Sequence, residues 1–148
     1  MASIHIVVGS VMGTALQVAN NAHARLTAAG HSVRLFERHQ PDIFQENTAL
    51  LVCTSSTGMG DLPQNIVPFH LALVNDLPRI AGTPYGVISL GDSSYPNFAQ
   101  AGHTLDEALA DIGAQRLGEV LVLDALEVED YDTAANDWLD NWQAQLQS

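Results

Sequence analysis

The sequence predicts a doubly wound α/β sandwich built on a five-stranded parallel sheet, and three observations carry that expectation. Apolar strand-like runs alternate with helix-like segments along the whole chain. The runs are nearly continuous in apolar residues, as strands covered by helices on both faces must be. Three of them stop at turns made of glycine, small hydroxyl residues and few charges, at residues 9–14, 54–61 and 91–98. In an open parallel sheet, loops leaving the carboxyl ends of the strands converge on one edge, where ligands of such sheets sit.

The first strand is residues 4–9 (IHIVVG), and the helix over 15–29 follows, with Leu16, Val18, Ala19, Ala22 and Leu26 at helical spacing. Gly30 supplies its stop. Residues 32–37 (SVRLFE) alternate as a second strand, and Arg34 on one face places it at a sheet edge. Residues 38–47, with Pro41, form a loop holding one turn. The third strand is 49–55 (ALLVCTS), followed by a helix over 64–75 entered past Pro63, with Pro68 tolerated in its first turn. Residues 85–90 (YGVISL) make the fourth strand. The next helix covers 99–112, with Leu105, Ala108, Leu109 and Ile112 inward and Gly113 as its stop. Residues 117–123 form the fifth strand. The closing helix covers 132–147, with Thr133 near its cap and Leu139, Trp142 and Leu146 inward.

At 148 residues the chain fits a single domain, 1–148, long enough to bury a core without staples. Seventeen acids oppose five basic residues, all arginine. That balance repels phosphate backbones and excludes a nucleic-acid partner. Eight acids, Glu119, Asp124, Glu127, Glu129, Asp130, Asp132, Asp137 and Asp140, follow the last arginine, Arg116. They form either a solvated face or a surface steering the chain onto a basic partner. Cys53 is the lone thiol and lies in a strand, so no internal disulfide forms and a reducing, cytoplasmic setting is expected. No apolar stretch approaches the ~18 residues that span a bilayer. His5, His23, His31, His39, His70 and His103 never take an H-x-x-x-H spacing and read as structural or surface residues, and Trp138 and Trp142 as core or sheet cover.

The first turn, Gly9, Ser10, Val11, Met12, Gly13, Thr14, lies between a strand and a helix. A helix start offers unpaired N–H groups and partial positive charge, and Ser10 and Thr14 add hydroxyls. Any phosphate there is held without a cation, since the nearest arginine in sequence is Arg25. The loop is neither a P-loop, which needs lysine, nor the G-x-G-x-x-G dinucleotide fingerprint, because its glycines are spaced G-x-x-x-G. The second turn (TSSTGMGD) has Gly58 and Gly60 two apart. The third, from Leu90 through Asp92 and Tyr95 to Phe98, sets one aromatic ring in a small polar loop. Tyr95 either covers the core at the top of the sheet or stacks on a flat ligand. Asp61 and Asp92 serve equally well as turn residues.

The ordered set GSVMGT, TSSTGMGDLP and LGDSSYPNF, each after its own strand, resembles the three flavin-mononucleotide loops of the flavodoxins over essentially the whole chain. Within that family the chain is most similar to the short-chain MioC/YqcA type, the YqcA branch in particular, through GDLPxxIVP, YGVIxLGDSSYxNF and AQRxGE. Flavodoxin is itself an example of the rule that ligands bind where strand order switches. The resemblance implies the flavodoxin-like three-layer sandwich with strand order 2-1-3-4-5, and FMN as cofactor. Ser10, Val11, Met12, Gly13, Thr14 and Ala15 would hold its phosphate. Thr54, Ser55, Ser56, Thr57, Gly58, Met59, Gly60 and Asp61 would line one side of the ring system, and Leu90, Gly91, Asp92, Tyr95, Asn97 and Phe98 the other, with Tyr95 stacked on it.

Three departures from the family pattern stand out. Met12 and Ala15 replace hydroxyl residues that would bond the phosphate, at a cost of order 1 kcal/mol per lost bond. Thr57 stands where relatives often carry an aromatic, so Met59 or Leu62 would cover that face instead.

The implied function is a low-potential one-electron carrier rather than an enzyme. It would be a monomer, taking electrons from a flavodoxin/ferredoxin-NADP reductase and passing them to an acceptor redox enzyme through the acidic face. The Gly58–Met59 peptide would be the movable element near flavin N5, and Asp61, Asp92 and Asp124 would bias the potential. A flavodoxin-fold interaction module with weak or lost FMN binding is the alternative, followed by a flavin enzyme, which would need an added substrate loop. A receiver domain is excluded because strand one ends in Gly9-Ser10 and no lysine exists.

Overall fold

The computed structural model describes residues 2–11, 13–56, 60–94 and 99–146. The sheet strands are β1 (Ser3–Gly9), β2 (Ser32–Phe36), β3 (Thr48–Ser55), β4 (Pro84–Gly91), β5 (Gln115–Arg116) and β6 (Leu121–Asp124). The helices are α1 (Thr14–Ala28), α2 (Val67–Leu71), α3 (Gln100–Asp111) and α4 (Tyr131–Leu146). All strands are parallel in the order β2-β1-β3-β4-β5, with β6 also pairing to β4. This is the flavodoxin-like order 2-1-3-4-5, its fifth position shared by β5 and β6.

Alternation along the strands sends side chains to two separate cores. Ile4, Ile6, Val8, Leu51, Cys53, Ile88 and Leu90 face one layer with α1 and α4, where Val18, Leu26, Leu139 and Trp142 close the packing. Val7, Leu50, Val52, Tyr85 and Val87 face the opposite layer, with Phe69, Leu73, Leu105 and Leu109. Helices therefore cover both faces, as the apolar strands demand. β2 is the sheet edge, and Arg34 there reaches Asp42 at 3.1 Å while its guanidinium lies 4.7 Å from the Phe36 ring centre.

Two expectations about elements are corrected. The single fifth strand over 117–123 is instead two pieces, because residues 117–120 leave the ladder. Tyr85 pairs Arg116 and Ile88 pairs Leu121, so two residues of β4 face four of the incoming chain. Gly118 turns there at φ +75°. The uniform helix over 64–75 is instead a 3-10 turn (Gln64–Ile66), the α-helical α2 and a π turn (Ala72–Asp76). Pro68 lacks the N–H that would extend a regular helix from its start. Leu71 and Val74 are left about half exposed, while Phe69 and Leu73 are buried. The expected loop over 38–47 holds one 3-10 turn (Pro41–Ile43) that buries Ile43 and accepts a hydrogen bond from His5 at 2.9 Å. Gly30 and Gly113 end their helices with positive φ, as expected.

Candidate functional site

The carboxyl ends of β1, β3 and β4 bring the three turns to one edge, and hydrogen bonds join them there. The Ser55 hydroxyl reaches Gly9 O at 3.4 Å, and Ser56 N–H donates to Leu90 O at 3.0 Å. The Ser56 hydroxyl also accepts the Ala101 N–H at 3.1 Å, in the first turn of α3. Gly9 is a close-approach glycine: a Cβ there would lie 2.5 Å from Thr54 Oγ1 and 2.8 Å from Ile66 Cγ2.

The first loop is closed from within. Gly13 sits at φ +88°, a left-handed conformation suited to glycine, and its N–H donates to Ser10 Oγ at 2.9 Å. Among the described residues no side chain caps α1, and the N–H groups of Thr14 and Ala15, in its first turn, have no partner inside the helix. Ser10 N–H donates to Asn65 Oδ1 at 3.0 Å. Two of the amides expected to face a phosphate, those of Ser10 and Gly13, are thus engaged by the protein itself. Arg25 is held away in a two-pronged pair with Asp140 at 2.8 and 2.7 Å, so it brings no charge to the loop.

The third loop is anchored by Asp124 at the end of β6. Its buried carboxylate accepts N–H bonds from Ser93 at 3.1 Å and Leu126 at 3.0 Å, and Ala125 N–H donates to Gly91 O at 2.8 Å. Hydrogen bonding from the Ser93 side chain, then from the Leu126 and Ser93 amides, holds the Asp124 carboxyl below its usual range against the opposing effect of burial. Asp92 accepts the Ser94 N–H at 2.9 Å, which makes it a turn residue. Leu62 packs partly buried against the second core, and Gly60 turns at φ +86°.

Of the expected site residues, Ser10, Val11, Gly13, Thr14, Ala15, Thr54, Ser55, Ser56, Gly60, Asp61, Leu90, Gly91 and Asp92 share this edge, with Val11 60% exposed on it. Met12, Thr57, Gly58, Met59, Tyr95, Asn97 and Phe98 lie outside the described residues. Asn65 escaped the sequence reading because the run 64–75 reads as a plain helix. Its side chain bonds residues 28 to 57 positions away, so no local spacing signals it. The sequence places Asp124 in the acidic run and among the carboxylates that would bias the potential, and the structure turns it inward.

A parallel sheet in the order 2-1-3-4-5, covered by helices on both faces and with its turns gathered at the carboxyl ends of β1, β3 and β4, defines a doubly wound α/β protein. The family profile described as Flavodoxin matches residues 6–138. The chain is 42% identical over 146 residues to Flavodoxin YqcA of Escherichia coli (strain K12), covering 96% of this chain and 97% of that one. It is 45% identical over 145 residues to Flavodoxin YqcA of Pectobacterium carotovorum subsp. carotovorum, covering 96% and 95%. It also superimposes on the C101A mutant of flavodoxin from Pseudomonas aeruginosa with a TM-score of 0.92 at 40% identity, over 99% of both chains. The chain belongs to the flavodoxin family, whose members are electron-transfer flavoproteins rather than enzymes. Membership implies FMN.

Proposed function

We propose that this flavodoxin carries FMN at the edge formed by its three loops and shuttles single electrons between a flavodoxin/ferredoxin-NADP reductase and an acceptor redox enzyme. The observation that carries the reading is the cradle at Gly9–Gly13. Its glycine backbone is closed by its own serine, no basic residue stands in it, and it opens on the uncapped start of α1. That donor set, amides and hydroxyls without a cation, fits a phosphate monoester.

In this reading Thr14 and Ala15 donate N–H bonds to the phosphate, with the hydroxyls of Ser10 and Thr14. Ser55 and Ser56 tie the start of the middle loop to its neighbours. Bound FMN supplies the one-electron chemistry. Gly58 and Tyr95 take the roles implied by the family resemblance: a backbone carbonyl that would accept a hydrogen bond from flavin N5–H, and a ring that would stack on the flavin. Asp124 contributes by ordering the third loop.

The docking face is narrower than the run of eight acids suggests. Asp124 is buried, Asp132 is half-buried, Asp130 bonds the first turn of α4 and Asp140 holds Arg25. Glu119, Glu127, Glu129 and Asp137 are exposed and remain to steer a basic partner. The buried thiol of Cys53 supports a reducing cytoplasmic setting, and the first core, which joins β1 to α4, supports one domain. No helix among the described residues is long and apolar enough to cross a membrane.

An absorbance titration with FMN tests the reading in the wild type, Gly13→Asp and Tyr95→Ala. The first variant places a side chain and a negative charge at a φ of +88°, and the second removes the stacking ring. Both should weaken binding at least tenfold, and undiminished affinity in both refutes the site.

A further inference from the structure

We infer that Asn65 is a positioning residue for the phosphate end of the cofactor, setting the first loop from beneath through its side-chain amide. The inference rests on the FMN reading above. Asn65 lies in the 3-10 turn Gln64–Ile66 and joins three separate parts of the chain. Its Oδ1 accepts the Ser10 N–H at 3.0 Å. Its Nδ2 donates to Val8 O at 2.8 Å and to Glu37 O at 2.9 Å. One acceptor and two donors is the inventory of a primary amide, and a carboxylate cannot replace it because it has no hydrogen to give the two carbonyls.

The location explains the need. The β1–β2 ladder ends at the Val7–Phe36 pair, just where the two chains part toward the first loop and residue 37. Asn65 bridges that opening by holding Val8 and Glu37 together. The constraint then passes along the loop: Ser10 is fixed by its N–H, its hydroxyl accepts the Gly13 N–H, and Gly13 leads into the first hydrogen bond of α1, Gln17 N–H to Gly13 O at 3.0 Å. The next residue, Ile66, packs where a Cβ on Gly9 would be. The 3-10 turn is therefore the floor of the cradle. Asn65 fixes where the loop's remaining amides and hydroxyls point, without being among the groups assigned to the phosphate.

A phosphate-positioning role separates FMN from riboflavin, which has the same ring system and no phosphate. Dissociation constants for both are measured by flavin fluorescence quenching in the wild type, Asn65→Ala, Asn65→Asp and the milder Asn65→Ser, with a thermal melt of each. Asn65→Ala should raise the FMN constant about tenfold and change the riboflavin constant less than twofold. Asn65→Asp should lose at least as much, since it keeps the acceptor but loses both donors. Asn65→Ser, which retains a single hydroxyl, should show the same selective loss if the alanine variant does not fold. Equal weakening of FMN and riboflavin, or unchanged FMN affinity, overturns the inference while leaving the flavin reading intact. A wild type that binds FMN no better than riboflavin also overturns it, because no phosphate grip then exists. A wild type that binds neither overturns the flavin reading and this inference with it.

Discussion

Gly86 of β4 lies directly beneath Trp142 of α4: a Cβ on residue 86 would come 2.5 Å from the indole Nε1 and 2.7 Å from Cη2 of the neighbouring Trp138. The two indoles are stacked, with ring centres 6.0 Å apart, and Trp138 Nε1 donates to Glu119 O at 2.9 Å. That bond holds the chain where it leaves the sheet between β5 and β6. The Trp pair thus occupies the space a side chain on β4 would need. Gly86→Ala should cost about 1–3 kcal/mol through overpacking and lower the melting temperature by several degrees. A thermal melt checks this, and an unchanged midpoint would show that the indoles yield.

Asp124 and Asn65 are expected to fail differently. Asp124 bonds Ser93 and Leu126, so it orders the loop assigned to the ring rather than the loop assigned to the phosphate. Asp124→Ala should weaken FMN and riboflavin together. Asp124→Asn keeps an oxygen acceptor for those two amides and should retain most of the affinity. Parallel flavin titrations separate the cases: if Asn and Ala are equally impaired, the charge matters and the anchoring does not.

Strand and helix positions, the edge place of β2 and the meeting of three turns were legible because each rests on local pattern: alternation, helical spacing and glycine stops. The break in the fifth strand was not. Residues 117–123 read as one strand, and what divides them is a tryptophan pair on α4 that occupies the face of β4, a tertiary contact that the pattern of the strand itself does not encode. The site was legible in its loops and illegible in its supports. Gly9 and Gly13 announce a tight turn by type, whereas Asn65 acts through bonds to residues 28 to 57 positions away, which no local spacing encodes. Asp124 was visible as an acid, but only its amide partners show that it faces inward.

Asp130 gives α4 its start. Its carboxylate accepts N–H bonds from Asp132 at 3.0 Å and Thr133 at 3.4 Å, and the Thr133 hydroxyl at 2.9 Å. The cap is therefore Asp130, three residues before Thr133. The hydrogen bond from the Thr133 side chain leads in holding the Asp130 carboxyl below its usual range. A depressed value in the folded state means that stability is present above the unfolded value near pH ~3.9 and is lost as pH falls through the lower folded value. Asp130→Ala should lower the melting temperature by a few degrees at pH 5 to 7. The gap to wild type should close below about pH 4, and melts across that range decide it; a gap independent of pH removes the carboxylate from the explanation.

Cys53 offers a reporter of the same edge from inside. The thiol is buried on β3 and lies 3.3 Å from Ala15 O, in the first turn of α1, and burial pushes its pKa up. A raised folded value means that the neutral thiol's contribution is fully present below the unfolded value near pH ~8.5 and declines as pH rises above it. Because the thiolate is the nucleophile, alkylation requires the fold to open. Iodoacetamide at pH 8 should react roughly a thousandfold more slowly with the native chain than with the chain in denaturing urea. If opening releases the cofactor, FMN at about 100 times its dissociation constant should slow the native reaction about a hundredfold further, by mass action. Riboflavin at the same occupancy should protect equally, since protection depends on occupancy and not on the phosphate. Rapid labelling of the native protein would contradict the burial, and flavin-independent labelling would separate the opening that exposes Cys53 from the one that releases the cofactor.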